Sequence, residues 1–71
     1  MFPNLNAEQA RRDYTNSYVA THIGISRSSY ERKKRNGMFF MSECTKLCDM
    51  FECTFEYLFA RENTNTPSRP A

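Results

Sequence analysis

At 71 residues the chain has room for one small domain, and domains of this size bury only about 60% of the surface their unfolded chains expose, so the core is thin. No run of about 18 apolar residues is present, which excludes a membrane-spanning helix. Met1-Phe2-Pro3-Asn4-Leu5 lacks the charged and apolar regions of a secretory signal, so the expected location is the cytoplasm of the producing cell.

The net charge is only +2 but unevenly spread. Residues 1–40 carry Arg11, Arg12, Arg27, Arg32, Lys33, Lys34 and Arg35 against Glu8, Asp13 and Glu31. Residues 41–60 carry Lys46 against Glu43, Asp49, Glu52 and Glu56. This asymmetry implies a basic face suited to a polyanion.

The first helix is expected over residues 4–12, with Pro3 at its start and Asn4 or Asn6 as cap. Leu5, Gln9 and Ala10 are expected to face inward. Thr15 caps a second helix over 16–23, in which Val19, Ala20 and Ile23 form a narrow apolar stripe. Gly24 ends it by taking a left-handed conformation. Ser26 caps a third helix over 27–35, which Asn36-Gly37 terminates. Two short helices joined by a few residues with a glycine form a helix-turn-helix pattern. The 24–37 stretch holds five of the ten Lys and Arg residues of the chain.

Met38-Phe39-Phe40 is an apolar connection to a fourth helix over 42–51, opening at Met41 or Ser42, with Ser42 as a candidate cap. Met41, Cys44, Leu47, Cys48 and Phe51 recur at helical spacing and mark its core face. Thr54 caps a last helix over 55–59, where Phe55, Leu58 and Phe59 close the core. A flexible tail is expected over 61–71, leaving residues 1–60 as the folded domain. Cys44, Cys48 and Cys53 have no metal-ligand spacing, and His22 is the only histidine. They read as small hydrophobes rather than as a metal or redox site. No catalytic constellation is present, and neither enzyme activity nor a cofactor is expected.

The chain resembles the small helix-turn-helix regulators of the Cro/C1-repressor type, the XRE family. The matching residues are Thr15 opening the second helix, Val19-Ala20 within it, the turn Gly24-Ile25-Ser26-Arg27-Ser28-Ser29, Asn36-Gly37, and the closing Cys53-Thr54-Phe55-Glu56-Tyr57-Leu58-Phe59. The resemblance implies an all-α, five-helix, lambda-repressor-like domain that binds operator DNA, often as a dimer and often encoded by phages or prophages. It departs from the family pattern in several places. Asn16 stands where Gln is common, Asp13 where Gly is usual, and Lys33 and Lys34 where an apolar residue is common. The third helix is one residue longer than typical.

With Tyr30 inward, Ser28, Arg32 and Arg35 fall on the opposite face at i, i+4 and i+7. Arg27 lies in the first turn, where recognition helices meet base edges. Arg27, Ser28 and Arg32 are therefore the expected base readers, because Arg bonds guanine O6 and N7 and Ser bonds several bases. Thr15 and Asn16 at a helix N-terminus, with Lys33, Lys34, Arg35 and Asn36, are the expected backbone contacts. Glu31 accepts from cytosine or pairs with Arg27 or Arg35. The expected function is a sequence-specific DNA-binding regulator, a repressor, acting on double-stranded DNA. A weak homodimer is expected through Phe55, Tyr57 and Phe59 of the last helix, and no small-molecule ligand or membrane is expected. The alternative is a protein-binding inhibitor or adaptor on the same scaffold. It is disfavoured because Ser28, Arg32 and Arg35 offer no apolar anchor.

Overall fold

The capping and stop signals place five helices, and a computed structural model describing residues 1–61 contains them in the expected order. They are α1 (Pro3–Arg11), α2 (Asn16–Ile23), α3 (Arg27–Asn36), α4 (Met41–Phe51) and α5 (Phe55–Leu58). Among the described residues there is no strand. No helix there is long and apolar enough to cross a membrane. The expected tail falls, from residue 62 onward, outside the described residues.

Side-chain caps set the starts of three helices. The hydroxyls of Thr15, Ser26 and Thr54 accept from the N–H groups of Tyr18 (3.0 Å), Ser29 (3.1 Å) and Tyr57 (3.2 Å). Gly24 and Gly37 close α2 and α3 with φ of +85° and +75°. At Gly37 the φ is the constraint, since the nearest atom to a Cβ there is the Met1 sulfur, on a flexible side chain that can move aside. Asp13, where the resembled family carries glycine, has a left-handed φ of +59°. Aspartate tolerates this region better than most residues.

Two caps differ from expectation. Helix α1 begins at Pro3 with Phe2 in the cap position. Asn4 lies inside it, and its Nδ2 donates to the Tyr57 carbonyl at 2.8 Å. Helix α4 begins at Met41, one of the two expected starts, and Phe40 rather than Ser42 holds the cap position, because Glu43 at the third position accepts the Phe40 N–H at 3.0 Å. At the other end, Phe59 lies just past α5.

The core is Phe2, Leu5, Val19, Ala20, Ile23, Tyr30, Leu47, Phe51 and Leu58. Three inward expectations fail. Ala10 is exposed while Glu8 and Gln9 are buried, and Met41 is 73% exposed, so the apolar stripe of α4 starts at Cys44. Phe55, at the first position of α5, is 49% exposed, because that short helix turns only Leu58 fully into the core. In the α3–α4 connection, Phe39 packs against Phe2, Tyr30 and Phe59, whereas Met38 and Phe40 face solvent. Of the three free cysteines, Cys44 is buried and the others half-buried. Burial pushes the thiols of Cys44 and Cys48 up from their ordinary value.

A carboxylate joins α1 to the C-terminal half. Glu8 accepts from Arg12 at 2.6 Å and from the Tyr57 hydroxyl at 2.7 Å, and pairs with Arg11 at 3.1 Å. Arg12 also donates to the Phe51 carbonyl at 2.8 Å. The Arg12 and Tyr57 hydrogen bonds hold Glu8 below the usual carboxylate range. Its contribution to stability is therefore full above the ordinary Glu value of about 4.3 and is lost as pH falls from there through the lower folded value. Thermal melts between pH 7 and pH 2 should show Glu8→Gln with a lower Tm at neutral pH and a shallower acid decline than the parent chain.

Candidate functional site

The basic stretch forms α3, and only Tyr30 and Lys33 of that helix are buried. Tyr30 is fully enclosed, and its hydroxyl donates to Gln9 Oε1 at 2.8 Å. Burial pushes its phenol well above the ordinary value. This anchor turns the opposite face of α3 outward, and Arg27, Ser28, Arg32 and Arg35 are all exposed. Arg32 and Arg35 have no carboxylate partner among the described residues, and Arg27 has only a loose one, Glu31 at 3.9 Å. The outward grouping expected from helical spacing is thus present in space.

The two lysines depart from the expected phosphate contacts, and both for a packing reason. Lys33 is 9% exposed and donates to Glu43 at 3.1 and 3.3 Å, with its ammonium 4.0 Å from the centre of the Phe40 ring. It ties α3 to the start of α4 and presents nothing to a ligand. Lys34 is half-buried against α1 and α2. Its Nζ donates to Asn6 Oδ1 (3.0 Å), Asn16 Oδ1 (3.1 Å) and Gln9 Oε1 (3.3 Å), above the Tyr30 ring. Desolvation lowers its pKa, opposed by the nearby Glu31 carboxylate.

Asn16 is drawn into the same network. Its Oδ1 also accepts from Gln9 Nε2 at 2.8 Å, so its Nδ2 faces Glu31 and donates at 3.0 Å. Glu31 is therefore a structural acceptor between α2 and α3. The Asn16 side chain is committed, and what α2 offers an anion is its N-terminal backbone, capped by exposed Thr15. Asn36 is exposed, but its Oδ1 accepts the Met38 N–H at 3.0 Å. Of the expected backbone contacts, Arg35 and the Thr15 end of α2 remain the most accessible.

Glu43 is the residue that sequence reading missed, and Gln9, expected to face inward, proves to be the centre of a polar network. Glu43 neutralises Lys33 from 10 residues away, and Gln9 connects Tyr14, Asn16, Tyr30 and Lys34. Neither carries a local signal beyond being a polar residue on a core-facing helical position. Among the described residues, no group of three His, Cys, Asp or Glu side chains is placed to hold a metal ion. The chain matches no family model, no curated protein and no solved structure.

Proposed function

We propose that this chain is a sequence-specific DNA-binding transcriptional regulator, a repressor of the Cro/C1 type with a lambda-repressor-like helix-turn-helix formed by α2 and α3. The observation that carries the reading is the outer face of α3. Arg27, Ser28, Arg32 and Arg35 are exposed there, and two of the three guanidiniums have no carboxylate partner among the described residues. A surface helix that served only the fold would gain little from such a face, whereas the major groove accepts a helix and offers acceptors to Arg. Arg27, Ser28 and Arg32 read base edges in this scheme. Arg35 and the N-terminus of α2 hold phosphates, and Lys33 and Lys34 hold α3 in place.

Selection of bound sequences from a random duplex library tests the proposal, and an enriched site is the expected result. No enrichment together with salt-insensitive retention would overturn it. Once the site is known, Arg32→Ala is expected to cost about 1–3 kcal/mol on it and to relax preference at one base pair. Arg35→Ala should weaken cognate and random duplexes alike and reduce the salt slope by about 1. Fluorescence anisotropy on both duplexes across a salt series separates the two roles.

A further inference from the structure

Glu31 is the one acid on a basic helix. At about 100° per residue it falls between the flank of α3 that carries Lys34 and the outward pair Ser28 and Arg35. It is half-buried. Its Oε2 accepts from Asn16 Nδ2 at 3.0 Å and lies 3.9 Å from Arg27 Nη1. Asn16 is itself fixed. Its Oδ1 takes Gln9 Nε2 at 2.8 Å and Lys34 Nζ at 3.1 Å, which turns its amide toward the carboxylate. The Glu31 carboxylate is therefore held from α2, and Arg27 is the exposed cation within its reach.

The fold accounts for an acceptor at this position more fully than for a charge. The Asn16 amide needs an oxygen, which a glutamine would also supply. Lys34, whose charged form Glu31 favours, already donates to three other oxygens. A negative charge on a face that meets a polyanion lowers affinity. What such a charge can supply in return is discrimination between ligands.

We propose that Glu31 is a positioning residue for base reading: tethered by Asn16, it holds the Arg27 guanidinium for a guanine edge and away from the phosphates. This role rests on the DNA-binding reading given above. Arg27 sits in the first turn of α3 with its side chain exposed, so without a partner it swings freely to the nearest phosphate. In water a 3.9 Å pair adds little to stability. In a groove from which water has been displaced, the same pair is stronger.

The test uses the full chain and begins with site selection by the parent. Glu31→Gln keeps an oxygen for the Asn16 amide and removes the charge, and a thermal melt reports its folding. The base pair read by Arg27 is the one whose preference Arg27→Ala abolishes. At that pair Glu31→Gln is expected to lower guanine discrimination ~10-fold, about 1.4 kcal/mol. On random duplex the salt slope should steepen by about 0.9, one phosphate's worth, as Arg27 is released. In an Arg27→Ala background Glu31→Gln should change neither quantity. A purely structural role would weaken cognate and random duplexes together and leave preference and slope as they were. If Glu31→Gln does not fold, Glu31→Asp keeps the charge beside Lys34, draws it one methylene back from Arg27, and should lower the same discrimination. A parent that enriches a site, with a folded variant that keeps its base preference and slope, overturns the role of Glu31 and leaves the DNA reading standing. A parent that enriches no site overturns the DNA reading and this role with it.

Discussion

Lys33→Ala is expected to lower stability by about 3–5 kcal/mol, the cost of removing one partner from a buried ion pair. The remaining Glu43 carboxylate would be 6% exposed in the parent geometry, with the Phe40 N–H as its one other donor among the described residues. A domain of this size has about 5–15 kcal/mol in total, and a small one sits low in that range. At about 4–8 °C per kcal/mol the loss should move the Tm by tens of degrees, read by circular dichroism. Replacing both partners, Lys33→Met with Glu43→Met, should recover much of it, because the uncompensated charge is gone. The recovery stays incomplete, since the Phe40 N–H loses its acceptor. A single-variant cost below about 1 kcal/mol would show a pair solvated like a surface one.

Tyr30→Ala should cost a further 3–5 kcal/mol by the same measurement, about the usual price of truncating a fully buried aromatic ring. The ring occupies the centre of the core, and the ammonium of Lys34 lies 4.8 Å above it. Tyr30→Phe separates the ring from the hydroxyl. It removes the 2.8 Å bond to Gln9 but leaves Gln9 Oε1 accepting from Lys34, so the expected loss is about 1–2 kcal/mol. The two proteins should also diverge in alkali. Burial raises the folded phenol's pKa, so the unfolded chain releases its proton first and stability falls as pH rises above about 10. Tyr30→Phe should show a smaller decline over that range, and what remains should come from Tyr57, raised by its bond to Glu8, and from the thiols of Cys44 and Cys48, raised by burial.

The sequence made the helix ends legible because each is decided within a few residues. Thr15, Ser26 and Thr54 cap, and Gly24 and Gly37 stop, by chemistry confined to one turn. The inward direction of Tyr30 and the outward set Ser28, Arg32 and Arg35 followed from the period of the helix alone. What escaped was long-range. That Lys33 is neutralised by Glu43, and that Tyr57 closes on Glu8 across 49 residues, depends on how helices pack and leaves no mark in local spacing. Met41 illustrates the limit of periodicity. It sits in register with Cys44 and Leu47, yet it opens the helix at the edge of the fold, where no facing element among the described residues covers it. Lys33 and Lys34, at positions where the resembled family carries apolar residues, are expected to reach phosphates, and the chain uses both as ties between helices.

Tyr30 and Lys33 alone fasten α3 by full burial, and its start and stop are set by Ser26 and Gly37. None of these four is among the residues assigned to base reading. If the proposed function holds, specificity and foldability are held by separate residues in and at the ends of one ten-residue helix. Under the proposed reading, the targets of such a protein can be rewritten one substitution at a time at positions 27, 28 and 32 without passing through an unfolded intermediate sequence. A lineage built this way diversifies its operators faster than its core, so kinship between its members would be carried by caps, stops and anchors rather than by the residues that touch DNA.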